Sequence, residues 1–162
     1  MNTLLTDIIR RTRQHHAIEH ATIHMLAERF PRHSFSGISD PLGFTLYGNI
    51  SEENVRRAVG DALLRLQAGQ SELAIHPNCG TNLATTSVLV TLIALLTNRG
   101  KRSLFEKFTT TLMLVLPTLM LARPLGTYLQ GYTTLTDTSD RWVAEVRPVM
   151  IGNVKAHRVL FD

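Results

Sequence analysis

Near the start of the chain His16, Glu19 and His20 stand in the order H-x-x-E-H. On an α-helix positions 16, 19 and 20 fall within an arc of about 100°, so the three side chains leave one face together. Two histidines one turn apart converge on a cation such as Zn²⁺, while a glutamate between them sits beside the ion to take a proton from water. Further along, His76-Pro77-Asn78-Cys79-Gly80-Thr81-Asn82 sets an imidazole and a thiol three positions apart, in a stretch whose Pro and Gly force a turn. Each segment also has a plainer account. The first could be a histidine-rich face paired with Glu19, and the second a capped turn with a small buried thiol.

The elements that must carry these residues can be read from the pattern around them. Leu5, Ile9, Ile23, Ala27 and Phe30 share the arc of His16, Glu19 and His20, which predicts one N-terminal helix with an inward stripe, ended by Pro31. Three ionisable groups interrupt that stripe. Burying them unpaired costs about 1–3 kcal/mol for each polar group and more for a charge, and a bound cation is the simplest compensation. Residues 35–50 turn about Asp40-Pro41-Leu42-Gly43 and predict a β-hairpin with Phe44, Leu46 and Ile50 on one side. Ser51 followed by Glu52 and Glu53 starts a second helix, whose buried face is Val55, Val59, Ala62, Leu63 and Leu66 and which Gly69 closes. From Trp142 to Phe161 the chain reads as two strands around Gly152-Asn153, able to join the first hairpin in one small sheet.

Between these parts lie two apolar runs, Leu83–Thr97 and Phe108–Ala122, with Thr81 and Asn82 as caps of the first. Neither run carries a polar stripe, and Pro117 is tolerated in a membrane helix far better than in a soluble one, so a membrane hairpin is favoured over a buried soluble one. Arg99, Lys101, Arg102 and Lys107 in the connecting loop place that loop in the cytoplasm by the positive-inside rule. The opening residues show no secretory signal, which would keep the first eighty or so residues inside. The two signals therefore assign opposite sides. The expected architecture is α+β: an N-terminal helix carrying H-x-x-E-H, a small antiparallel sheet and a two-helix apolar hairpin. It forms one domain over residues 1–162, with 83–122 as an inserted membrane hairpin.

Composition narrows the function. In 162 residues with a formal charge of +4, the basic residues are scattered in pairs such as Arg10-Arg11 and Arg56-Arg57, and aromatic residues are few, which argues against nucleic acid. The single Cys79 excludes an intramolecular disulfide. Membrane lipid is the expected partner, and self-association into a homo-oligomer is open.

The two segments together resemble a known family. Five residues in the order H-x-x-E-H have the form of the inverted zinc proteases. His16, Glu19, His20, Thr22 and Ile23, followed by His76, Pro77, Cys79, Gly80 and Thr81 leading into an apolar helix, look like the YqhQ-type bacterial membrane proteins, described as predicted metal-dependent enzymes. Ala17, Ile18, Ala21 and Asn78 depart from that family's paired motifs. The chain also resembles a shorter, uncharacterised group, mainly cyanobacterial, that opens with H-H-A-x-E-H-A. These resemblances imply a metal site and membrane residence.

The expectation is a membrane-associated hydrolase using zinc or another divalent transition metal. His16, His20, His76 and Cys79 would be ligands and Glu19 the general base, acting on lipid or a membrane peptide in the bacterial plasma membrane. The alternative is a metal-stabilised scaffold or assembly factor without turnover, in which Glu19 would be a ligand or pair with His15 or His24. A third reading has Cys79 as a nucleophile. Of the other histidines, His24 is a candidate further ligand or supporting donor, His15 is expected in solvent or beside Glu19, His33 on the surface, and His157 at an ordinary sheet position.

Overall fold

A computed structural model describes residues 2–100 and 103–162. Lys101 and Arg102, two of the four basic residues that set the orientation argument, lie outside the described residues. The chain divides into two compact units, Met1–His76 with Thr133–Asp162, and Pro77–Tyr132.

The first unit is α+β. It contains α1 (Asn2–Arg29), β1 (Ser36–Asp40), β2 (Gly43–Tyr47), α2 (Glu52–Gln67), a single 3₁₀ turn at Ser71–Ala74, and the strands β3 (Val143–Ile151) and β4 (Val154–Phe161). The strands form one antiparallel sheet in the order β1-β2-β4-β3, so both expected hairpins meet along β2 and β4, with Thr45 opposite Arg158. Gly43 must lack a side chain because a Cβ there would run into the Val159 carbonyl of β4. Gly152 turns the second hairpin at φ 59, in the left-handed region.

Helix α2 begins as expected. Ser51 has extended backbone and its side chain accepts from the Asn54 N–H. Val55, Val59, Ala62, Leu63 and Leu66 are buried and pack with Phe44 and Leu46 of the sheet and with Ala17, Ile18, Ala21, Met25 and Leu26 of α1.

The inward stripe expected of α1 is corrected. Leu5 and Ile9 are 60% and 50% exposed, and Ala27 is exposed too; Ile23 is buried and Phe30 packs against the core from its edge. A 28-residue helix is about 42 Å long, longer than any strand here, so its first turns run beyond the sheet. Its middle is instead covered from several sides. From Gln14 to Leu26 every residue is buried except His16 and His24, which are half-buried.

The second unit holds α3 (Gly80–Thr97) and most of α4 (Leu104–Thr133). Thr81 and Asn82 do not cap α3. Cys79 is its N-cap, with Sγ accepting from the Thr81 N–H at 3.3 Å, and Asn82 is turned inward as a helix-pairing residue. The Asn82 amide donates to the Pro77 carbonyl at 2.7 Å and its Oδ1 accepts from Gln130 Nε2 at 3.1 Å. Gly126 lies so close to Asn82 that a Cβ would collide with it, and farther along Thr97 and Thr111 share a hydroxyl hydrogen bond of 2.6 Å. Helix α4 continues through Pro117 and Pro124, past Ala122 where the apolar run stops.

Both helices are long and apolar enough to cross a membrane, and only 11% of each apolar window is buried. The core hairpin of a soluble protein would hide these side chains. Leu92, Leu96, Leu112, Leu116 and Leu119 are instead exposed.

Candidate metal centre

His16, His20 and His24 recur every fourth residue of α1, which aligns them along one side of the helix within about 80°. The chain leaving the 3₁₀ turn brings His76 against them. Ring centroids are 4.3 Å apart for His16 and His20, 5.8 Å for His20 and His76, and 5.0 Å for His24 and His76. Four imidazoles thus make one patch of the first unit, with His16, His24 and His76 half-buried and His20 buried.

Backbone carbonyls fix these rings. His20 Nδ1 lies 2.6 Å from the Ala74 carbonyl, His16 Nδ1 lies 3.1 Å from the Thr133 carbonyl, and His24 Nε2 lies 2.9 Å from the Ile75 carbonyl. A carbonyl only accepts, so each of these nitrogens carries the proton. The opposite nitrogen of a neutral ring then carries the lone pair. For His16 and His20 that atom is Nε2, the arrangement by which a carbonyl orients a metal-binding histidine. Burial, with His24 and His20 beside it, pushes His76 down to about 4, so its ring is neutral at physiological pH.

Glu19 reaches β1. It is buried, its Oε2 accepts a hydrogen bond from Ser39 Oγ of β1, and its carboxylate lies against Gly37, where a Cβ would overlap it. Cys79, also buried, holds its sulfur over the first turn of α3, where the helix dipole favours a thiolate.

The remaining histidines divide. His15 is not in solvent: it is fully buried, its Nδ1 is 2.8 Å from the Asp40 carbonyl, and its ring stacks on Phe161 at 4.9 Å. Burial lowers its pKa. His33 is exposed beside Phe35, and His157 occupies a buried position in β4.

Ser39, Gly37 and the carbonyls of Ala74, Ile75 and Thr133 were missed by motif reading. Carbonyl donors leave no mark in a sequence. The Ser-Gly-Ile-Ser alternation of β1 does put two small residues two apart on one strand, a signal for a bulky neighbour on that face.

A family model described as "Domain of unknown function (DUF6391)" matches residues 11–146, which include both halves of the signature. An uncharacterised protein of Picosynechococcus sp. is 44% identical over 91 residues, covering 51% of this chain and 44% of that protein. The match therefore spans less than half of that relative's length. No solved structure matches the chain.

Proposed function

The chain belongs to the DUF6391 family of unknown function, and we propose that it is a membrane-associated, zinc-dependent hydrolase. The observation that carries this reading is the pair of carbonyl-tethered imidazoles. His16 and His20 are one turn apart, and each is held at Nδ1 so that Nε2 is the donor atom.

In this reading His16 and His20 would be two of the donors and Cys79 a third. Cys79 follows His76 by three residues, a tether of about 10 Å at most, and His76 itself lies against His20. Two imidazole nitrogens and a thiolate suit zinc, or another divalent transition metal of similar softness. His76 is the neutral imidazole next in line, either as a fourth ligand or as a hydrogen-bonding neighbour of the bound group.

An ion held by these residues would supply Lewis-acid polarisation. Glu19 accepts the proton at its carboxylate, with Oε2 steadied by Ser39. The resemblance to YqhQ-type proteins supports the same assignment, and the apolar helices make lipid or a membrane peptide in the bacterial plasma membrane the substrate class.

The Ser39–Glu19 bond favours a second reading. A carboxylate anchored to β1 is also what a structural site needs, and a metal-stabilised scaffold with four protein ligands would use Glu19 only to brace α1. Metal analysis and X-ray absorption on the purified full chain separate the two. The hydrolase reading expects one zinc with three protein donors and one light oxygen donor. Glu19→Gln should retain the ion, and Cys79→Ser should weaken it by at least the roughly 10–100-fold typical of supporting-residue changes. Four protein donors would establish the scaffold, and no metal in the unmodified protein would defeat both.

A further inference from the structure

A second site lies in the first unit, on residues that the metal reading does not use. Between the start of α2 and the β3–β4 hairpin is an open hollow of about 500 Å³, lined by Ile50, Glu52, Pro148, Met150, Lys155 and His157 among others. That volume is within the roughly 300–1,000 Å³ of small-molecule sites. The hollow exists because β3 and β4 are longer than β1 and β2, so their turn end is left without a facing strand pair.

Its lining is apolar with a polar point at one side. His157 and Lys155 are two apart on β4 and so share a face, about 7 Å from one another along the strand. Pro148 and Met150 stand opposite them on β3. His157 is only 4% exposed, yet its Nδ1 is buried without a hydrogen-bond partner. Such an atom costs about 1–3 kcal/mol when left unpaired. Glu52 is already paired with Arg56 at 2.9 Å, whereas Lys155 makes no ion pair among the described residues. Lys155 is the cation at the mouth. Beyond it the hairpin end continues as exposed Met150, Ile151 and Val154, a surface that water solvates poorly.

We infer that this hollow binds a single alkyl or acyl chain carrying an acidic head group. The chain covers Ile50, Pro148 and Met150, and Lys155 meets the anionic head. The apolar body and the single cationic rim select this class over a sugar or a nucleotide, for which the lining offers too few polar groups. The assignment stands whether or not α1 binds zinc.

The test uses the full chain held in an amphipathic polymer and titrated with cis-parinaric acid, a fluorescent polyene fatty acid. One saturable site per chain is expected. Palmitate should displace the probe, and hexadecanol, which lacks the acidic head, should be at least about tenfold weaker. Lys155→Glu, an exposed substitution, should weaken the probe by a similar factor, and Val149→Asp at the hollow wall should abolish binding. Palmitate competing better than lysophosphatidate assigns the site to free acids; the reverse assigns it to a membrane lipid. Trp142 fluorescence and circular dichroism confirm that each variant is folded. No saturable site, or binding that both folded variants leave unchanged, overturns the inference.

Discussion

Ser39 on β1 donates its hydroxyl to Glu19 Oε2 on α1, and Gly37, two residues before it on the strand, leaves the room that the carboxylate occupies. One buried charge is thereby fixed to the sheet by a donor and a void that belong to the same strand face.

Gly37→Ala puts a methyl group into that void. It should destabilise the chain by about 1–3 kcal/mol, the usual range for overpacking, whereas Ser39→Ala should cost a similar amount through the lost donor to a buried carboxylate. Chemical unfolding of the full chain in detergent, followed by circular dichroism, measures both. If zinc is bound as proposed, Ser39→Ala should leave metal content unchanged.

The α3–α4 pair has its own close point at Asn82 and Gly126. Gly126→Leu must push the Asn82 side chain off Gln130, so the helices should separate at that end. A cysteine pair at Thr97 and Thr111, near the other end, would still cross-link. Disulfide formation that is retained there, with faster proteolysis near Gly126, is the expected pattern.

Acid should weaken the first unit. Burial lowers the His157 pKa below its ordinary 6.5, so the folded state prefers the neutral ring. The unfolded chain takes up a proton first as pH falls. The associated stability is complete above about pH 6.5 and is lost as pH drops through that value toward the lower folded pKa. Thermal midpoints should therefore fall between pH 7.5 and about 5. The fall should be shallower in His157→Leu, with a remainder contributed by His15 and His76, whose pKa values burial also lowers.

Asp140 joins the segment after α4 to α1. Partial burial opposes its charge, but hydrogen bonds from Arg10, Arg141 and Gln14 outweigh that and hold its carboxyl well below the usual carboxylate range. Because the side chain is 42% exposed, screening reduces the effect, and Asp140→Asn should cost only about 1 kcal/mol. That cost should be fully present above the ordinary carboxylate pKa of about 4 and should shrink progressively as pH falls below it toward the much lower folded value. Urea unfolding at two pH values is sufficient to see it.

Much of this arrangement was legible in the chain because it rests on local chemistry. Ser51 caps α2, Gly152 turns the last hairpin, and α3 and α4 are apolar on all sides. The H-x-x-E-H spacing put His16 and His20 in contact because a helix fixes their separation. What failed was long-range. Periodicity assumes that a helix buries one stripe, yet α1 is enclosed along its middle and bare at its start, so Leu5 and Ile9 were misplaced inward and His15 outward. Cys79 rather than Thr81 or Asn82 caps α3, since a sulfur can accept the same N–H that a hydroxyl would. Asn82 was free for Gln130, a partner 48 residues away that no local pattern announces.

The sheet order also sets a schedule for synthesis. Strand β2 ends at Tyr47 and its neighbour β4 begins at Val154, with both apolar helices made in between. As the chain emerges, the β1–β2 hairpin must wait with one edge unpaired until the α3–α4 segment has been committed to its own environment. Delay at that segment would prolong exposure of a strand edge that carries buried Phe44 and Leu46. Impaired delivery of the apolar helices should therefore appear first as aggregation of the polar unit.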